Sequence, residues 1–87
     1  MSVKVHLDSS LQRFTGGQSI VEVEGEKVSQ CLDDLVACFP DLKSQLLDKQ
    51  GKSWSDIVVF LNDDSTFPNQ PVKDNDELSI VRPIGGG

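Results

Sequence analysis

The sequence predicts an α+β fold in which one main helix covers one face of a mixed sheet of four to five strands. Two stretches near the N-terminus alternate apolar and polar residues, as half-buried strands do. Over residues 28–39 the apolar residues recur instead at helical spacing. Two further strands follow, and a chain of 87 residues has room for one such domain.

The first two strands are expected to form an antiparallel hairpin. Residues 3–7 alternate, and the inward side chains are Val3, Val5 and Leu7. Residues 15–18 (TGGQ) predict a turn, because glycine accepts backbone angles that other residues avoid. Residues 19–24 then alternate again, which completes the hairpin.

One strong helix is expected to begin at Val28 and to stop before Pro40, since the residue before a proline avoids the helical region. Its apolar face comprises Val28, Cys31, Leu32, Leu35, Cys38 and Phe39. A shorter turn after Pro40 carries the apolar residues Leu42, Leu46 and Leu47.

The two cysteines lie on the same predicted helix, seven residues apart. Their Cα atoms would be about 10.5 Å apart at a rise of ~1.5 Å per residue. This separation exceeds the reach of a disulfide. We therefore expect Cys31 and Cys38 to be buried as small hydrophobic residues in a reducing compartment.

The C-terminal half supplies the remaining strands. Residues 57–61 are a continuous run of β-branched and aromatic residues, which predicts a central strand. Two prolines exclude residues 67–71 from such a strand. Residues 78–82 form the last strand, with Leu78 and Ile80 on one face. Placing the first and last strands side by side gives a β-grasp, or ubiquitin-like, roll over residues 1–82, followed by a flexible tail, 83–87.

A single helix leaves the other face of this sheet open. If Ile57 and the alternate residues of its strand face the helix, then Val58 and Phe60 face outward, and Val81 joins them from the last strand. These three residues would form an exposed apolar patch near the root of the tail, and such patches mark partner sites. The alternative is that residues 67–71 cover them.

The charge balance narrows the classes of partner. Eight basic and fourteen acidic residues give 8 − 14 = −6. Nucleic acid is excluded on this basis, because phosphate binding is driven by lysine and arginine. An acidic surface favours a basic protein partner or only confers solubility. No apolar run approaches the ~20 residues of a membrane span, and no signal-peptide pattern begins the chain, so a cytoplasmic location without membrane attachment is expected.

The residues preceding the tail offer no catalytic site. His6 is the single histidine and lies at an outward strand position. No cysteine–histidine cluster has zinc spacing, so no metal site is expected. Gly16 and Gly17 lack the lysine of a phosphate-binding loop. The adjacent carboxylates at 33–34 and 63–64 suit a solvated surface or turn.

The tail has the composition of a segment that enters another protein. Residues 82–87 read Arg-Pro-Ile-Gly-Gly-Gly, and glycine adds no side chain to a narrow channel. From Pro83 onward the tail could reach about 16 Å from the fold, at ~3.3 Å per residue. The alternative is a frayed end without function.

These motifs together resemble the ThiS/MoaD-like sulfur-carrier family over nearly the whole chain. The resemblance rests on residues 11–18 (LQRFTGGQ), 23–28 (VEGEKV), 39–42 (FPDL), 46–48 (LLD), 59–64 (VFLNDD) and 72–83 (VKDNDELSIVRP), in this order and with a glycine tail. The chain length and the LLD…GK segment favour the branch that serves cysteine, homocysteine or secondary-metabolite pathways.

The resemblance implies a carrier rather than an enzyme. An E1-like adenylating and sulfurtransferase enzyme would adenylate the Gly87 carboxylate with ATP and convert it to a thiocarboxylate, without any permanently bound cofactor. Gly85 and Gly86 would serve threading. The residues that contact partners would be Val58, Phe60, Val81, Arg82, Pro83 and Ile84. The sulfur would pass to an acceptor enzyme in the biosynthesis of an amino acid, a secondary metabolite or a cofactor.

The third glycine departs from the family pattern, which usually ends in two. The working end is therefore Gly87 or, after trimming by a metalloprotease as in some relatives, Gly86. Three other functions stay open: a ubiquitin-like modifier joined through the same glycine to lysines, the small subunit of molybdopterin synthase, and a purely structural β-grasp module.

Overall fold

The computed structural model describes residues 2–46 and 57–81, and in them five strands form one mixed sheet. The strands are β1 (Ser2–Leu7), β2 (Ile20–Glu24), β3 (Val58–Leu61), β4 (Asp64–Ser65) and β5 (Glu77–Val81). Their spatial order is β2-β1-β5-β3-β4, with β1 and β5 parallel and every other neighbouring pair antiparallel. The predicted adjacency of the first and last strands is confirmed.

Helices connect the strands. α1 (Ser9–Gln12) runs into a 3₁₀ turn (Arg13–Thr15), and α2 (Val28–Cys38) is the main helix, followed by a 3₁₀ turn (Pro40–Leu42) and α3 (Lys43–Leu46). α2 ends before Pro40, as predicted, and Phe39 has left the helical region with φ −130° and ψ 81°. Pro40 then occupies the first turn of the next helical segment, where its missing N–H costs nothing.

The core lies between α2 and the inner face of the sheet. The predicted inward residues of β1, β3 and β5 are buried there together with four residues of α2: Val3, Val5, Leu7, Val59, Leu61, Leu78, Ile80, Val28, Cys31, Leu32 and Leu35. Ile57 and Phe39 pack against this cluster from its edge. Each fully buried valine or leucine contributes roughly 1.5–3 kcal/mol relative to exposure, so the strand alternation and the helix period together specify the fold.

The expectation for the second cysteine is wrong. Cys31 is buried, but Cys38 is exposed. Cys38 is the last residue of α2, and the chain turns away there, so the helical period no longer places a side chain over the sheet. Phe39, and then Leu42 of the 3₁₀ turn, supply the apolar cover at this end of the core.

The N-terminus of α2 is closed by a distant loop. Lys27 precedes the helix and makes no side-chain capping bond. The N–H of Val28 donates instead to the carbonyl of Gln70 (3.0 Å), and that of Ser29 to the carbonyl of Pro68 (2.9 Å). Two of the N–H groups that a helix start leaves unpaired are thereby satisfied. The same bonds hold the irregular loop, residues 67–71, on the helix side of the sheet.

Candidate functional site

The outward face of the sheet is the face turned away from α2 and the core. Strand alternation places on it one residue of every two: Ile20, Glu22 and Glu24 of β2, Lys4 and His6 of β1, Glu77, Ser79 and Val81 of β5, and Val58 and Phe60 of β3. Their inward neighbours are buried against α2. The helices and the 66–72 loop pack on the other side, so this face is the candidate binding surface.

The three apolar residues expected on this face lie close together. Val58 is the direct cross-strand partner of Val81, and Phe60 is that of Ser79. Val58 is 38% exposed, while Phe60 and Val81 are half-buried. We call Val58, Phe60 and Val81 the apolar patch. It lies at the end of β5, directly before residue 82.

The loop that could have covered the apolar patch lies elsewhere. Its hydrogen bonds join it to residues 26–29 at the start of α2, including one from the N–H of Val72 to the carbonyl of Glu26 (3.0 Å). A single bridge between Lys27 and Pro71 adds to this contact. Phe67, on the same loop, is 57% exposed. The patch is therefore left open by this loop.

Beside the apolar patch lies an open polar groove of about 340 Å³, lined by His6, Asn62, Asp63, Glu77 and Ser79. His6 Nε2 lies 2.5 Å from Glu77 Oε1, and the two side chains are 38% and 54% exposed. Ser79 pairs with Phe60 on one side and with His6 on the other. The groove and the apolar patch thus form one continuous surface.

The sequence predicts His6 at an outward strand position, either hydrogen-bonded or exposed to solvent, and does not single out Glu77. The signal that joins them is the parallel register of β1 and β5, which pairs Lys4 with Glu77 and His6 with Ser79. Both residues occupy outward strand positions, so a correct register would have placed them side by side. No local pattern contains that register, because the two strands are far apart in sequence.

Asn62 fixes one wall of this groove. Its N–H donates to the carbonyl of Glu77 (2.8 Å), and its side-chain Oδ1 accepts from the N–H of Glu77 (3.0 Å). Its Nδ2 donates to Asp76 Oδ1 at 3.1 Å. Asn62 and Asp63 have φ of 49° and 74°, which asparagine and aspartate tolerate better than most residues. The β3–β4 turn is therefore held rigidly against β5.

The predicted site residues of the tail lie outside the described residues. They are Arg82, Pro83, Ile84, Gly85, Gly86 and Gly87, together with the boundary between domain and tail. Within residues 2–46 and 57–81, no group of three or more histidine, cysteine, aspartate or glutamate side chains could hold a metal ion. No helix in the same ranges is both long and apolar enough to cross a membrane.

Comparisons with curated proteins find relatives over the full chain. The molybdopterin synthase sulfur carrier subunit of Arabidopsis thaliana is 32% identical over 89 residues, covering 100% of this chain and 84% of the relative. The sulfur carrier protein CysO of Mycobacterium tuberculosis is 28% identical over 93 residues, covering 100% of both chains.

Solved structures have the same fold. The small archaeal modifier protein SAMP1 of Haloferax volcanii superposes with a TM-score of 0.89 at 27% identity, covering 100% of both chains. A chain of the BexX/CysO complex of Amycolatopsis orientalis gives 0.85 at 30% identity, covering 98% of this chain and 99% of that one. The model of the ThiS family matches residues 5–87. The chain therefore belongs to the ThiS family of ubiquitin-like β-grasp proteins, and its relatives of known name include sulfur carriers.

Proposed function

We propose that this protein is a sulfur carrier that acts through a thiocarboxylate on its C-terminal glycine. The observation that carries the proposal is the family match, which runs through the Gly85-Gly86-Gly87 segment and includes two relatives named as sulfur carriers. The protein itself is not the catalyst. An activating enzyme supplies the catalysis and ATP, and an acceptor enzyme in biosynthesis receives the sulfur.

The chemistry needs two steps at the C-terminal carboxyl group. A carboxylate oxygen of Gly87 attacks the α-phosphorus of ATP, and pyrophosphate leaves. A sulfur nucleophile held by the partner then attacks the acyl carbon, and AMP leaves. With hydrosulfide as this nucleophile, the new C–S bond replaces the C–O bond to AMP, and loss of the proton from sulfur leaves the C-terminal thiocarboxylate. Glycine at 85 and 86 lets the partner's backbone approach closely, because no Cβ intervenes. Attachment to a folded domain positions the sulfur and reduces the entropic barrier to transfer.

The outward sheet face selects the partner in this proposal. The apolar patch docks on the activating enzyme, and Arg82, Pro83 and Ile84 line the path from the sheet to the active site. A carrier of the same fold, CysO, occurs in a complex with BexX. The favoured acceptors belong to cysteine, homocysteine or secondary-metabolite pathways. Where Gly86 is the working end, a metalloprotease first removes Gly87.

Intact-mass measurement tests the proposal. The protein is incubated with the adenylating enzyme of its own organism, ATP and sulfide. Replacement of one oxygen by sulfur should add about 16 mass units to the chain. A variant that ends at Gly86 identifies the working terminus, since only one of the two chains should gain this mass without trimming. Failure of both chains to gain it would contradict the carrier function.

Two other functions have specific support. SAMP1 is named a modifier protein, and at 27% identity its likeness favours conjugation of the C-terminal glycine to lysines of other proteins. The Arabidopsis relative favours a role as the small subunit of molybdopterin synthase. Isopeptide-linked adducts in the same organism would indicate the modifier. Co-purification with a large catalytic subunit would indicate the synthase.

A further inference from the structure

We propose that the activating enzyme inserts a basic side chain, preferably arginine, into the groove between His6, Asp63 and Glu77 while an apolar side chain covers Phe60. This inference rests on the proposed function, because it assigns the chemistry of the partner that docks on the outward sheet face. It adds a polar recognition site to the apolar patch.

The charge of the face favours a basic partner. Among the residues that the structure describes, four carboxylates lie on this face or at its edge, against one ammonium, that of Lys4: Glu22, Glu24, Asp63 and Glu77. The whole chain carries a formal charge of −6. Complementary potentials steer two proteins into register and exclude wrong partners, so the docking surface of the enzyme should be positive opposite the groove.

Glu77 is the carboxylate best placed to receive that charge. Among the described residues, His6 is the one side chain bonded to it, through Oε1. Lys4, its neighbour in register across β1 and β5, makes no ion pair with it within residues 2–46 and 57–81. Within the described ranges, the carboxylate is thus presented in the groove beside an imidazole and without an ion pair to lysine or arginine. A guanidinium can bind such a group through two parallel hydrogen bonds, which an ammonium cannot do.

The groove is also ordered before any partner arrives. Asn62 binds both the N–H and the carbonyl of Glu77, so neither the turn nor the strand must be organised on docking. Pre-organisation lowers the entropic cost of association. Ser79 of β5 lies between Phe60 of β3 and His6 of β1. The surface therefore has an apolar centre with a polar border, as protein interfaces generally do.

ATP–pyrophosphate exchange by the adenylating enzyme, measured at varied carrier concentration, tests the inference. The variants are Glu77→Gln and Asp63→Asn, with Asp33→Asn as the matched control. Each removes one negative charge, but Asp33 is exposed on α2, away from the groove. We expect Glu77→Gln and Asp63→Asn to raise KM about fivefold to tenfold with kcat unchanged, whereas the control changes KM less than about twofold. The KM of the wild type should also rise more steeply with NaCl than that of Glu77→Gln.

The outcomes separate the two proposals. Equal KM changes in Glu77→Gln and Asp33→Asn would mean that only net charge matters. The groove would then be excluded as a recognition site, while the proposed carrier function would stand. Absence of exchange with the wild type would overturn both. Should Glu77→Gln fail to fold by circular dichroism, Asp63→Asn decides, because asparagine accepts the φ of 74° at that position.

Discussion

At the scale of single residues, the two cysteines show how burial decides reactivity. Cys31 has no exposed surface in the core, and its Sγ would lie only 2.9 Å from a Cβ placed on Gly25. Burial raises the pKa of the Cys31 thiol from 9.0 to about 11, so the nucleophilic thiolate is scarce at neutral pH. Cys38 is exposed at the end of α2. The same residue type therefore has opposite access to solvent at the two positions.

Alkylation should distinguish them. Iodoacetamide at pH 8 is expected to modify Cys38 in the native protein and to leave Cys31 unmodified, as read from peptide masses. In denaturant both thiols should react. The Cys38→Ser variant is the control and should remain unlabelled while folded. Labelling of native Cys31 at the rate of Cys38 would show that the buried position is open to solvent.

At the scale of elements, the junction between β2 and α2 depends on close backbone packing. A Cβ on Gly25 would lie 2.8 Å from the backbone nitrogen of Cys31. Two side chains of the helix reach back to the same junction: Gln30 Oε1 accepts from the N–H of Glu26 (2.8 Å), and Asp34 Oδ2 accepts from the N–H of Glu24 (2.9 Å). The helix is thus tied to the edge strand at a distance that only glycine permits.

Gly25→Ala should therefore destabilise the protein by about 1–3 kcal/mol, because overpacking must displace backbone rather than a flexible side chain. Urea unfolding followed by circular dichroism measures the change. Gly16→Asn is the matched control: Gly16 has a φ of 67° and open space around it, and asparagine tolerates that conformation, so a change within about 0.5 kcal/mol is expected. A Gly25→Ala variant as stable as the wild type would contradict the close packing.

At the scale of the whole molecule, the sheet keeps the core and the surface proposed for recognition on opposite faces. Its inner face and α2 contain the core, whereas its outer face carries the apolar patch and the groove. The central strand β5 contributes to both, with Leu78 and Ile80 inward and Ser79 and Val81 outward. The chain then continues directly from β5 into the tail that the proposed function uses.

This separation predicts that Phe60→Asp keeps the fold but weakens docking. Phe60 is only half-buried and points away from the core, so thermal unfolding should change little. The KM for adenylation should rise at least about tenfold, equivalent to ~1.4 kcal/mol of lost binding. Phe67→Asp, the same substitution on the exposed loop at α2, should leave KM unchanged. Adenylation kinetics that do not change in Phe60→Asp would remove the apolar patch from the interface.

Most of the fold could be predicted from the sequence. Of the described site, the position of the apolar patch could be predicted, whereas the groove could not. Alternation placed Val58, Phe60 and Val81 on the outward face, where the structure has them, although their role in partner binding stays a prediction. The burial of Cys38 was wrongly predicted, because helical periodicity carries no information about where the sheet beneath the helix ends. The two-residue strand β4 is too short to produce a periodic pattern.

The sequence by itself determined the strands, the main helix, the family resemblance and the glycine tail, because each depends on neighbours along the chain. Only the tertiary structure decided the site beside the apolar patch. His6 and Glu77 are 71 residues apart in sequence, and the bonds that close α2 also join distant residues, Val28 to Gln70 (70 − 28 = 42) and Ser29 to Pro68 (68 − 29 = 39). Such contacts depend on the register between distant strands, which the packing of the whole core sets and no local pattern records.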